Sequence, residues 1–142
     1  MSGFALELLS DDDDRKGFRC GSESLERYLR ETAKGHLLKG VSITRVMVEA
    51  GPILSAAFLA KAANWPGAAK GLPAMPVPIV LLGRLAVAED SQGHGIARLL
   101  LAAAREIAAG SMRGAGGVGL AVDPAGEDLV GFYAKYGFIR VD

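Results

Sequence analysis

The stretch that decides the fold reads Val80-Leu81-Leu82-Gly83-Arg84-Leu85-Ala86-Val87-Ala88-Glu89-Asp90-Ser91-Gln92-Gly93-His94-Gly95-Ile96-Ala97-Arg98. An apolar run stops at three polar residues, a loop with alternating glycines follows, and a helix-forming run begins. A strand that delivers a glycine turn into a helix N-terminus presents backbone N–H groups to an anion such as phosphate. Gly93 and Gly95 remove side chains where a phosphate must come close, and Ala97 keeps the next position small. The donors in this reading are the amides of Gly93 through Arg98.

Two familiar phosphate motifs fail on spacing. The G-x-G-x-A run is one residue short of the dinucleotide fingerprint, and no acidic residue stands at a strand end about 20 positions on. No Gly-Lys-Ser/Thr follows the glycines, which excludes a P-loop. What remains is a pyrophosphate-bearing cofactor of another kind.

With 142 residues, half of them apolar, the chain is expected to fold as one domain with a packed core. No apolar run approaches the roughly 20 residues that span a bilayer, and the N-terminus lacks a signal-peptide layout. The single cysteine, Cys20, permits no internal disulfide and fits a reducing cytoplasm. Net charge is zero, but it is unevenly spread. Between Arg15 and Arg45 eight basic residues face three acidic ones, a local +5 balanced by −5 elsewhere, with Asp11 to Asp14 supplying four of those negative charges. Such a segment can steer an anionic partner to one face, or be an ordinary solvated helix surface.

Around the central stretch, Phe4–Leu9 reads as a first strand and Asp11–Asp14 as a solvated loop. Ser22 is a helix N-cap with Glu23 and Glu26 in the first turn. Leu25, Leu29, Ala33 and Leu37 form the apolar stripe of that helix, with Tyr28 and His36 at its edge and a break expected near Gly35. Val41–Glu49 and Ile53–Ala60 read as a hairpin around Ala50-Gly51-Pro52. Residues 61–78 hold four of the six prolines and are expected to be an irregular connection. Pro78–Ala88 is a central strand. The next helix is expected to bury Ile96, Leu99, Leu100, Ala103 and Ile107 and to end at Gly110. Val118–Val122 is a buried strand, Glu127–Tyr136 a short helix ended by Gly137, and Phe138–Val141 the start of a strand. The alternation argues for an α/β (α+β) fold, a sheet covered by helices.

Gln92-Gly93-His94-Gly95-Ile96-Ala97 resembles the Q/R-x-x-G-x-G/A signature of the GNAT superfamily of acyl-CoA N-acyltransferases. Phe132-Tyr133-Ala134-Lys135-Tyr136-Gly137-Phe138 resembles the F-Y-x-x-x-G-F segment on the last helix of such enzymes. The resemblance implies that Leu85, Ala86, Val87 and Gln92, Gly93, His94, Gly95, Ile96, Ala97 and Arg98 bind acetyl-CoA, that Tyr133 is the general acid, and that no metal takes part. It implies a single domain over 1–142 with a mixed central sheet flanked by helices. Acetyl transfer passes through an oxyanion that backbone N–H groups can stabilise, and the leaving thiolate needs a proton that a tyrosine can give. Tyr136 reads as packing.

A narrower resemblance covers nearly the whole chain. Phe18-Arg19-Cys20-Gly21 followed by Leu25, Tyr28-Leu29 and Ala33, with Leu81-Leu82-Gly83-Arg84-Leu85-Ala86-Val87, is similar to GNAT toxins of bacterial type II toxin–antitoxin pairs. Those toxins acetylate the α-amine of aminoacyl-tRNA, are neutralised by a ribbon-helix-helix antitoxin, and are often homodimers. On that resemblance Arg27, Arg30, Lys34, Lys39 and Arg45 hold tRNA phosphates without reading sequence. Arg84 either reaches the reactive end of the substrate or pairs with Glu89 or Asp90. Arg19 departs from the usual Asp, Gly51–Phe58 keeps only Leu54-Ser55-Ala56 of a common pattern, and the sheet is expected to lack the last C-terminal strand. Two alternatives stay open: a GNAT acting on a small-molecule or protein amine, and a weakened module that binds CoA or a partner without turnover.

Overall fold

The computed structural model describes residues 5–48, 53–65, 77–124 and 127–140. Among these, five strands form one sheet in the order β1 (Ala5–Leu8), β2 (Ile43–Val48), β3 (Leu54–Trp65), β4 (Val77–Val87) and β5 (Leu120–Val122). The first four pair antiparallel and β5 joins β4 in parallel, so the sheet is mixed. Helices α1 (Glu23–Glu31) and α2 (Ala33–Lys39) precede β2, α3 (Ile96–Ala115) connects β4 to β5, and α4 (Glu127–Lys135) follows.

Two apolar layers hold the sheet. On one face Leu29 and Ala33 of the first helix pair pack with Val46, Val48, Leu54 and Ala57 of the strands. On the other, Leu100, Leu101 and Ala104 of α3 pack with Phe58 and Leu82. Phe58, Leu82, Leu100 and Leu101 are almost fully buried, each contributing about 1.5–3 kcal/mol relative to exposure.

Ser22 caps α1 as its sequence indicates, its hydroxyl accepting from the Leu25 amide at 3.3 Å. Glu26 reaches back to accept from the amides of Cys20 and Gly21 at 2.9 and 3.2 Å. The helical break falls at Thr32, not Gly35. Thr32 is an indifferent helix former, and its φ of −122° leaves the helical range while its amide still closes the turn onto Tyr28. The acidic loop is not uniformly solvated either. Asp13 is buried and accepts from the Ser10 amide, Asp14 accepts from Gly17, and Asp11 pairs with Lys34.

Five further expectations shift. Lys61–Trp65 extends β3, because Ala62, Ala63, Asn64 and Trp65 pair with Val80, Ile79, Pro78 and Val77, so the irregular connection expected over 61–78 is shorter. Residues 66–76 lie outside the described part, as do Phe4, Glu49–Pro52 and Val141. Helix α3 runs through Gly110 to Ala115 and ends at Gly116, whose φ of 86° suits glycine. Its buried stripe is Ile96, Leu100, Leu101, Ala104 and Ala108, with Leu99 exposed. Three consecutive leucines leave periodicity alone unable to choose the register. Strand β5 has three half-buried residues and Val118 is exposed. Phe138–Arg140 do not form a strand.

Candidate active site

The site is built around an irregularity in β4. Its pairing with β3 runs from Ala56–Val87 to Leu59–Arg84, then resumes at Ala60–Leu82, leaving Gly83 as an extra residue. A bulge of this kind reverses which positions face each side of a sheet. Before it, Val80 and Leu82 face α3. After it, Leu85 and Val87 do, while Arg84 and Ala86 turn to the α1 face. Glycine leaves room there for Leu59, since a Cβ on Gly83 would lie 2.9 Å from Leu59 Cδ2 and the leucine would have to shift.

Beyond the bulge β4 also parts from β5. Their parallel pairing covers Val80–Leu82 and stops, although β4 continues to Val87. The edge of β4 toward β5 therefore offers backbone donors and acceptors over Gly83–Val87 with no strand partner among the described residues.

The chain then turns through Glu89–Ser91 into the glycine loop. Gly93 and Gly95 have φ of 83° and 77°, and space is open around the position of a Cβ at both. Gly95 starts α3 without a side-chain cap, so the amides of Ile96, Ala97 and Arg98 have no acceptor within the helix. A 20-residue helix adds its positive end to that cradle, and the cradle fits a phosphate-bearing group. Gln92 does something the sequence did not indicate. Its side-chain amide donates to Val87 O at 3.0 Å and Cys20 O at 3.1 Å, tying the loop to β4 and to the segment before α1. The Glu89 amide adds a 2.7 Å bond to Arg19 O. His94 is exposed, with Nδ1 3.2 Å from Ser91 O.

Tyr133 on α4 is buried in the apolar cluster that includes Leu85 and Val87. Phe132 and Phe138 meet its ring edge-on at 5.1 and 5.6 Å. Burial pushes the phenol pKa above its ordinary value, so the hydroxyl stays protonated across neutral pH. Tyr136 packs on Phe132.

On the opposite face of β4, Arg84 makes no ion pair with Glu89 or Asp90. Its guanidinium lies 4.2 Å from the centre of the Tyr28 ring. A polar cleft bounded by Glu23, Ser24, Arg27, Tyr28, Thr32 and Arg84 opens there. Of the six cations singled out in the sequence, only Arg27 and Arg84 line it. Arg27 is bracketed by Glu23 and Glu31 at 3.2 and 3.8 Å, Arg30 pairs with Glu31, and Lys34 with Asp11. These pairs are mostly exposed and exchange readily for other anions. Arg45 sits half-buried on β2, where desolvation lowers its pKa, and Lys39 is exposed at the end of α2.

Residues 51–140, more than half of the chain, match the family model described as an acetyltransferase (GNAT) domain. The chain belongs to the GNAT family. Within it, this GNAT chain is 32% identical to a tRNA-acetylating toxin of Mycobacterium tuberculosis, over 97% of the chain and 86% of the toxin. It is similar to AtaT complexed with acetyl-methionyl-tRNAfMet, with a TM-score of 0.89 and 26% identity over 96% of this chain and 87% of that one. It is also similar to an AtaT variant with one tyrosine replaced by phenylalanine, bound to the C-terminus of the antitoxin AtaR and acetyl-CoA. There the TM-score is 0.86 and identity 25%, over 99% of this chain and 86% of that one. Among the described residues no helix is long and apolar enough to cross a membrane, and no group of three or more metal-binding side chains occurs.

Proposed function

We propose that this chain is an acetyl-CoA-dependent N-acetyltransferase, a toxin that acetylates the α-amine of aminoacyl-tRNA and so blocks translation. The observation that carries this is the parting of β4 from β5 beside an uncapped helix N-terminus, with a polar cleft that holds Arg27 and Arg84 on the other face of the same strand. The cradle of Gly93–Arg98 takes the pyrophosphate of acetyl-CoA. The free edge of β4 over Leu85–Val87 pairs with its amide-bearing arm, and Gln92 fixes the loop in place.

The chemistry follows from that placement. The neutral amine attacks the thioester carbonyl, forming the N–C bond, and backbone N–H groups of β4 stabilise the oxyanion. As the C–S bond breaks, Tyr133 gives its proton to the departing thiolate and regains one from solvent, while the amine loses its proton to water. Arg27 and Arg84 hold the anionic end of the tRNA at the cleft, and Arg30, Lys34, Lys39 and Arg45 add contacts farther along its backbone.

This reading carries the rest of the assignment: one domain over 1–142, work in the bacterial cytoplasm where charged tRNA is found, a homodimer, and neutralisation by a ribbon-helix-helix antitoxin. Leu6 and Leu8 on edge strand β1 and Ile43 on β2 supply exposed apolar surface for such assembly. The test is cell-free translation. Synthesis should stop only when both the protein and acetyl-CoA are present, and resume on adding freshly charged tRNA after the enzyme is removed. A block independent of acetyl-CoA would refute the proposal.

A further inference from the structure

The F-Y-x-x-x-G-F segment, Phe132 to Phe138, closes α4 in a way its residues account for one by one. The Phe138 amide donates to Tyr133 O at 3.2 Å and the Gly137 amide to Ala134 O at 3.1 Å, while Gly137 has a φ of 93°. This pair of bonds around a left-handed glycine is a Schellman ending, in which the residues on either side of the turn also touch through apolar side chains. Here those residues are Tyr133 and Phe138, their rings edge-on at 5.6 Å. The phenol proposed as general acid is thus one half of the helix cap.

Neither cap bond uses the Tyr136 carbonyl. It accepts instead from the guanidinium of Arg105, which comes from α3. The same guanidinium lies 5.1 Å from the centre of the Phe138 ring, and its Nη2 is 3.5 Å from where a Cβ on Gly137 would stand. Arg105 therefore covers three consecutive residues of the cap, and its charge suits the negative end of a helix dipole. Helix α3 begins at the phosphate cradle and carries Arg105 farther along, so one rigid element references both the cofactor loop and the end of α4. We infer that Arg105 is a positioning residue for acetyl transfer: by clamping the end of α4 through the Tyr136 carbonyl and the Phe138 ring, it sets where the Tyr133 hydroxyl stands relative to the thioester. This rests on the proposed role of Tyr133. Arg105 is exposed, so its substitution leaves the core intact.

The test is single-turnover transfer from labelled acetyl-CoA to charged tRNA by the full chain, by Arg105→Ala, Arg105→Lys and Tyr133→Phe, and by the double variant Arg105→Ala with Tyr133→Phe. Arg105→Ala should lower the transfer rate about ten- to hundredfold and leave the dissociation constant for acetyl-CoA within about twofold of wild type. Arg105→Lys keeps a donor and the charge without the planar fork, and should recover part of the loss. In the Tyr133→Phe background Arg105→Ala should change the residual rate by less than about twofold, because the group it positions is gone. An equal fold-loss in both backgrounds would overturn the inference, as would a wild-type rate in Arg105→Ala or a loss confined to acetyl-CoA binding. Transfer to a small amine and never to charged tRNA would overturn the tRNA reading alone, and the same cycle on that amine then decides Arg105. Full-rate transfer by Tyr133→Phe would overturn the role of both residues.

Discussion

The guanidinium of Arg84 stacks 4.2 Å from the centre of the Tyr28 ring, and the Tyr28 hydroxyl is itself held by His36 Nδ1 at 3.0 Å and Ser42 Oγ at 3.2 Å. A strand residue thus has its charge oriented by a helix residue, which in turn is anchored to α2 and the segment leading into β2. Arg84 is turned to this side by the bulge at Gly83, so the position of the charge depends on backbone and aromatic ring together.

Replacing Tyr28 by Leu should therefore impair use of the acceptor and spare acetyl-CoA. A cation–π contact of about 0.5–2 kcal/mol corresponds to a rise in KM for charged tRNA of about 2- to 30-fold. Tyr28→Phe should lie between wild type and Tyr28→Leu. Combining Tyr28→Leu with Arg84→Lys should cost less than the sum of the single changes, measurable as a double-mutant cycle on kcat/KM.

Gly83→Val should be costly for a reason visible only in the backbone. The new side chain meets Leu59, which is buried at 5% exposure. Overpacking of this kind costs about 1–3 kcal/mol, so the melting temperature should fall by about 3–10 °C. Thermal unfolding followed by circular dichroism measures it, and an unchanged midpoint would show that the bulge is not held as described.

Gln92→Ala removes the two bonds that join the glycine loop to β4 and to Cys20. The loop is exposed, so stability should change little. The KM for acetyl-CoA should rise about three- to tenfold, as expected for losing hydrogen bonds of about 1 kcal/mol, with kcat within about twofold of wild type.

The pH profile tests Tyr133. Its pKa is raised by burial, so the acid form persists to high pH and is lost only above the ordinary phenol value. The substrate α-amine must be neutral to attack and titrates near about 7.7–8.0. Between pH 6 and 10, kcat/KM should rise through the amine pKa and level off. A fall between pH 8 and 9.5 would mean a group other than this tyrosine supplies the proton.

The loop and the start of α3 at Ile96 were legible because glycines at fixed spacing after an apolar run have one common structural use. The N-cap at Ser22 and the α1 stripe were legible for the same reason: local hydrogen bonding and periodicity decide them. The bulge was not. An apolar strand with both faces covered carries no alternation, so the reversal at Gly83 leaves no trace in the pattern, and with it went the true surroundings of Arg84. The register of α3 was lost in Leu99-Leu100-Leu101. Gln92 also has partners that its motif does not announce, two backbone carbonyls, one of them 72 residues away in sequence.

The most direct measurement combines acetyl-labelled acetyl-CoA, a charged tRNA pool, and wild type beside Tyr133→Phe, with product read by mass spectrometry of the released aminoacyl groups. The account predicts N-acetylated amino acid from wild type, a loss of at least about a hundredfold with Tyr133→Phe, and acetyl-CoA binding retained by both. Transfer at the wild-type rate by Tyr133→Phe, or label found on small amines and never on charged tRNA, would contradict it.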